Sequence, residues 1–209
     1  MATEYIIQQG DHLAKIAEQF GFLTISPIWD HPTNCDLRQL RGTPNVLMPG
    51  DVVHVPDRTQ KVMQMPTGYS HTFRTRCMDL MLRVVLLDHR FQPILNVACV
   101  LDVASSGDAT TTDAQGIFSK KIKKSADAGK LVVGEQILPI CIGHLDPASE
   151  VSGAQARLNA LGYDAGDTND PTDPGFRSAI EEFQCDAGLD VIGELNSQTV
   201  AKLLELHGC

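Results

Sequence analysis

The sequence predicts an α+β multidomain chain in three successive parts: a small β-α-α-β module, a central antiparallel β-sandwich and a C-terminal three-helix bundle. Three observations carry this. Between residues 5 and 56 a β-prone run, an amphipathic helical pattern and a second β-branched run follow one another. From 71 to 147, apolar runs of strand length recur between turn signals. From 151 onward, three segments repeat apolar residues at helical spacing. The parts are placed at 1–57, 71–147 and 148–209, with a polar linker containing Pro66 and Gly68 at 58–70.

In the first part, Tyr5 to Gln9 is a short strand ending at Gly10. Asp11 is placed to cap the next helix, its carboxylate accepting from the first free N–H groups. Leu13, Ile16, Ala17 and Phe20 share one helical face, and Gly21 is the expected stop. Pro49-Gly50 sets a tight turn before Val52, Val53 and Val55. An insert from Thr24 to Thr43 holds the only tryptophan, Trp29, and a helical pattern from Cys35 to Leu40. Trp29 reads as a sugar-stacking platform or as a core plug; the plug is favoured, because small domains need the apolar area.

Tyr5-Ile-Ile-Gln-Gln-Gly-Asp ahead of the helix, with Asn45-Val-Leu-Met-Pro-Gly-Asp ahead of the strand, resembles a LysM domain. That family binds N-acetylglucosamine polymers such as peptidoglycan and chitin. A plain hairpin-plus-helix subdomain is the alternative. The resemblance implies a glycan groove with Gly10, Asp11, His12 and Leu13 opposite Asn45, Val46 and Leu47. His12 stands where the family usually has Thr or Ser, and the middle is longer than usual.

In the second part, Met78 to Asp88 is a mostly buried strand, Gln92-Pro93 a turn and Val97 to Val103 another strand. Ser105 to Asp108 is a loop, Thr110 to Thr112 is β-prone, and Thr112-Asp-Ala-Gln-Gly116 is a turn. Ile117 to Ile122 alternates, setting Phe118, Lys120 and Ile122 on one face. Lys130 to Gly134 and Ile137 to Ile142 complete the pattern. Short strands between turns predict a sandwich. Their order, with Thr112-Asp113-Ala114-Gln115-Gly116 before the alternating strand, resembles the transthyretin-like or carboxypeptidase-regulatory-like sandwich. The resemblance implies a non-catalytic spacer or docking module.

In the third part, Ala154, Leu158 and Leu161 mark a first helix over 151–163. Asp173-Pro174 is an N-cap followed by Pro at the first helical position. Phe176, Ala179, Ile180 and Phe183 form the face of the second helix, which Gly188 closes. Asn196 is placed to cap a third, with Val200, Leu203 and Leu204. The expected core is Leu158, Leu161, Phe176, Ile180, Phe183, Leu189 and Leu203. The words Gln155-x-x-Leu158-x-x-Leu161-Gly162-Tyr163, Ala179-Ile180-x-x-Phe183-Gln184, Gly193-x-Leu195 and Thr199-x-x-x-Leu203 resemble the peptidoglycan-binding domain of type 1. Where that family commonly has Asp-Gly-x-Phe-Gly, this chain has an acidic loop from Asp164 to Asp173. The loop reads as a solvated, cap-rich connection; its Asp spacing fits no EF-hand. With the core residues excluded, Tyr163, Asp167, Asp170 and Asp173 are the candidate binding surface. They would face amine-bearing peptide stems or a basic protein patch.

The 209 residues carry a formal charge of −9, which argues against nucleic acid and anionic membranes as partners. No run is long enough for membrane insertion. The N-terminus has no basic and apolar leader pattern, so synthesis in the cytoplasm is expected, with any export to the periplasm or a target cell left to a secretion apparatus. The cysteines at 35, 77, 99, 141, 185 and 209 include no C-x-x-C pair. They read as free thiols, with Cys99 and Cys141 as small buried hydrophobes. The histidines form no H-E-x-x-H pattern, and His31/Cys35 and Cys141/His144 are single pairs, so no metal is predicted. No catalytic residue, cofactor or enzyme signature emerges. The predicted partner is peptidoglycan or a chitin-like glycan, bound without catalysis. The order of modules is similar to that of proteins associated with type VI secretion spikes and related contractile injection systems, which implies a spike or effector protein as a second partner. An adaptor that binds only protein, or a wall hydrolase, are the alternatives.

Overall fold

The computed structural model describes residues 3–59, 62–74, 79–103 and 109–208. Within them the chain is α+β, with helices and antiparallel sheets, none of them closed. The expected loop at Ser105–Asp108, the Met78 start of a strand, and Cys77 and Cys209 lie outside the described residues. No helix among those described is long and apolar enough to cross a membrane.

Strand β1 (Thr3–Ile6) pairs antiparallel with β2 (Val52–Val55), placing Tyr5 opposite Val53. It ends before Gln9 because Gln8 already accepts from the Asp11 N–H and opens the turn. Helices α1 (Leu13–Gln19), α2 (Ser26–Trp29) and α3 (Cys35–Arg41) follow. Leu13, Ile16 and Ala17 of α1 join Ile7, Ile28, Leu37, Leu47, Val53 and Val55 in one core. Trp29 is partly buried against that core rather than standing free, while its neighbour Ile28 is fully buried. Buried Asn34 ties the insert to β2: its amide donates to the carbonyls of Ile28 and His54, and its oxygen accepts from the His54 N–H. Arg41 forms a two-pronged ion pair with Asp51, both under 10% exposed, which fixes α3 against the turn before β2.

In the central part, β3 (Leu80–Val85) pairs with β6 (Ile117–Ile122), and β5 (Ala109–Thr111), β4 (Ala98–Asp102), β7 (Ala128–Val133) and β8 (Gln136–Cys141) form a second sheet in that order. Residues from both sheets share one core, among them Cys99, Leu101, Phe118, Ile122 and Leu131. The Thr112–Gly116 turn is built locally. The Asp113 carboxylate accepts from the Gln115 and Ile117 N–H groups. Gly116 has φ +71°, and a Cβ there would stand 2.8 Å from Pro93 Cβ. The buried Thr112 hydroxyl donates to the Ile94 carbonyl and accepts from the Val97 N–H. Cys99 is fully buried, as expected, but Cys141 is exposed. Cys99 sits on a central strand, whereas Cys141 ends the edge strand β8, where burial is one-sided.

Helices α4 (Val151–Leu161), α5 (Pro174–Asp186) and α6 (Ser197–His207) surround Ala154, Leu158, Phe176, Ala179, Ile180, Phe183 and Leu203. Asp173 caps α5 by accepting from the Phe176 N–H at 3.0 Å, and Asn196 caps α6 by accepting from the Thr199 N–H at 2.8 Å. Gly162, at φ +97°, ends α4. Leu161 and Leu189 are half-buried rather than central, and Leu204 is exposed. The same unit also buries polar groups: Gln155, Arg157, Gln184 and Thr199.

Candidate functional site

Two surfaces were predicted from sequence, and the structure treats them differently. Around the first, Asp11 does not cap α1. Its carboxylate turns back to accept from the Gln8 N–H and the Tyr5 hydroxyl. The helix therefore starts one residue later, and His12 takes the capping role, its Nδ1 accepting from the Lys15 N–H at 3.3 Å. Gly10, Asp11, His12 and Leu13 are all buried, as are Val46 and Leu47 on the opposing loop, while Asn45 is exposed. Leu13 and Leu47 belong to the core itself.

Part of the cover comes from the β6–β7 connection and the segment after β8. Gln9 donates to the His144 carbonyl, and the Lys15 ammonium reaches Asp127 at 2.7 Å and the Gly10 carbonyl at 3.2 Å. A Cβ on Gly10 would stand 3.0 Å from the His144 ring, and one on Gly143 would stand 2.8 Å from the Gly10 carbonyl oxygen. The Lys15–Asp127 hydrogen bond raises the lysine pKa and lowers that of the aspartate. Burial pushes the His12 pKa down, and the charge of Lys15 adds to this. The Lys124 backbone and the Asp11 and Asp127 carboxylates act the other way. His12 Nε2 has no partner at ordinary hydrogen-bond geometry, although the Lys124 backbone pulls the ring pKa upward as an acceptor.

The second surface is open. Asp164, Asp167 and Asp170 are exposed. The loop that carries them is held from beneath by two side chains of α4. Gln155 donates to the Ala165 carbonyl and accepts from the Asn169 N–H; Asn159 donates to the Gly166 carbonyl and accepts from the Ala165 N–H. Asp170 accepts from the Thr172 hydroxyl and N–H, which lowers its pKa. Gln184 plays the equivalent part for 192–194, accepting from the Ile192 and Gly193 N–H groups and donating to the Glu194 carbonyl and the Thr199 hydroxyl. Every polar valence of this buried amide is met.

Tyr163 and Asp173 are less available than predicted. Asp173 is committed as a helix cap. The Tyr163 hydroxyl donates to Asp186 at 3.0 Å, its ring meets Phe183 edge-on, and Phe91 of the β3–β4 loop stacks on it with centroids 6.1 Å apart. Burial, and then Asp186, raise its pKa. Acidic residues dominate the segment, eleven against three basic ones over 148–209, so the exposed loop lies in a negative field that favours cationic groups.

Sequence reasoning missed one concavity, an open groove of about 230 Å³ lined by Phe20, Phe22, Val55, Pro56 and Arg58 among others. Two phenylalanines flanking Gly21 were its visible signal. Among the described residues no group of three or more His, Cys, Asp and Glu side chains is placed to hold a metal. The family model described as a peptidoglycan binding domain matches residues 147–203, the helical segment with the stapled acidic loop. No curated protein and no solved structure matches the chain.

Proposed function

We propose that the chain is a non-catalytic peptidoglycan-binding protein whose C-terminal unit makes the contact. The observation that carries this is the peptidoglycan-binding domain present over 147–203. The exposed Asp167 and Asp170 on a loop held rigid by Gln155 and Asn159 support a contact with the amines of peptide stems. The full chain should co-sediment with purified, insoluble peptidoglycan, and added salt should weaken the binding. Failure to sediment at low salt overturns the reading; release of soluble muropeptides overturns its non-catalytic half.

The remainder of the proposal is architectural. An N-terminal module resembling LysM, a transthyretin-like central unit and a peptidoglycan-binding end suit an accessory of a contractile injection apparatus, made in the cytoplasm and carried out with spike or effector. The burial of Gly10–Leu13 and of Val46 and Leu47 favours a second reading for the N-terminal module, that of a protein adaptor. Titration with chitin oligomers separates the two. Amide shifts at Gly10–Leu13 and Asn45–Leu47 support glycan binding there, and their absence at millimolar ligand, in the native chain and in D127K alike, supports the adaptor.

A further inference from the structure

The joint between the 9–15 turn and the central sheets combines three features. It is close: the glycines at 10 and 143 approach so nearly that a Cβ on either would press on the other side, and one on Gly143 would also stand 3.3 Å from His12 Cδ2. Its charged tie is peripheral, since Lys15 and Asp127 are 28% and 59% exposed. At its centre lies His12, 6% exposed, with Nε2 unpartnered.

The tautomer follows from the cap. Nδ1 accepts from the Lys15 N–H, so the ring is neutral and carries its proton on Nε2. Protonation would place a second N–H on Nδ1, pointing at the Lys15 N–H. Two donors would then face each other at the start of α1, with a buried charge and no acceptor completed at Nε2. The groups that surround the joint come from three elements. Asp11 and Lys15 belong to its own turn and helix, the Lys124 backbone and Asp127 to the β6–β7 connection, and Gly143 and His144 to the segment after β8. Lys15 opposes protonation while the Lys124 backbone, Asp11 and Asp127 favour it; burial is the largest single influence and the net shift is downward.

We infer that this joint is an acid-sensitive latch: neutral His12 caps α1 and fills the contact, and its protonation frees the 9–15 turn from the central sheets. Burial holds the His12 pKa in the closed joint below the ordinary 6.5. The closed state thus binds fewer protons than the open one. Its advantage is complete above the ordinary histidine value and shrinks as pH falls through it toward the lower, closed-state pKa. The consequence for ligand access rests on the glycan reading of the Gly10–Leu13 turn; the latch itself does not.

The test uses the full chain and reads amide hydrogen exchange, corrected for intrinsic rate, at residues 10–15, with 176–183 as an internal control. Between about pH 7.5 and about pH 5.5 the corrected exchange at 10–15 should rise at least about threefold, with a midpoint that follows the His12 ring resonance. H12N keeps an oxygen to cap α1 but cannot titrate, so its exchange should not respond to acid. G143A and D127K should open the joint at neutral pH, raising the same exchange by a similar factor. Acid-independent protection in the native chain, or a midpoint that ignores the His12 titration, overturns the latch even if H12N does not fold. A hexamer of N-acetylglucosamine that shifts the 10–13 amides in D127K, and not in the native chain at neutral pH, supports the latch as a gate. An opened joint that stays silent to the hexamer leaves the latch standing and overturns the glycan reading of this turn.

Discussion

The Gly10–Leu13 turn and the Asp164–Asp173 loop are both short, acid-containing connections that lead into a helix. One is buried, in part against the β6–β7 connection and the segment after β8, and the other faces solvent. The difference lies in what holds each of them. The acidic loop is fixed by Gln155 and Asn159, 14 or fewer residues away in sequence. It needs no outside cover, and Asp164, Asp167 and Asp170 stay exposed. The N-terminal turn meets the Asp127 carboxylate and the His144 carbonyl, 112 and 135 positions from their partners. A loop stapled from below can present its side chains, whereas a loop held from above presents little.

The most severe way to test this contrast is to melt the staple's foundation. Phe183 is fully buried at the centre of the C-terminal core. F183A should cost about 3–5 kcal/mol, most of what a helical unit of this size has in reserve. Denaturant titration followed by residue-specific NMR should show α4–α6 unfolding while β1–β2 amides persist. Loss of both regions in one transition would break the contrast, showing that the Phe91–Tyr163 stack and the Arg157 bond to the Asp146 carbonyl couple the units strongly.

A smaller loss should follow from removing one staple. Q184A leaves the Ile192 and Gly193 N–H groups without their acceptor inside the fold, and should cost about 2–3 kcal/mol. Thermal unfolding measures it; a loss under about 0.5 kcal/mol would mean that water replaces the amide. D173A removes the α5 cap and should cost about 1 kcal/mol, read from the same melts.

The mildest substitution bears most directly on function. D167N combined with D170N removes charge from exposed positions and should leave the melting midpoint within the scatter of surface changes, about 0.5 kcal/mol. At low salt it should weaken co-sedimentation with peptidoglycan about two- to fivefold, an effect that vanishes at high salt. Unchanged binding at low salt would place the contact elsewhere on the C-terminal unit.

Much of the local structure was legible in the residues. Helical spacing at Phe176, Ala179, Ile180 and Phe183, the caps at Asp173 and Asn196, and the Thr112–Gly116 turn all rest on interactions within a few positions, and the structure shows each of them. The cap on α1 was not legible. Asp11 and His12 can both accept from a helix N-terminus, and the Tyr5 hydroxyl, arriving from the adjacent strand, draws Asp11 away. Nor were the buried polar residues: Gln155, Arg157 and Gln184 look like surface positions until the loops they serve fold back onto them. Sequence by itself determined most of the strands and helices and, in the C-terminal core, Leu158, Phe176, Ile180, Phe183 and Leu203, because those depend on periodicity and on neighbours along the chain. Only the tertiary structure decided that Cys141 is exposed while Cys99 is buried, that Tyr163 lies under Phe91, and that the first predicted groove is covered. Exposure is a property of what packs from afar, and partners more than a hundred residues away leave no periodic trace near the groups they bury.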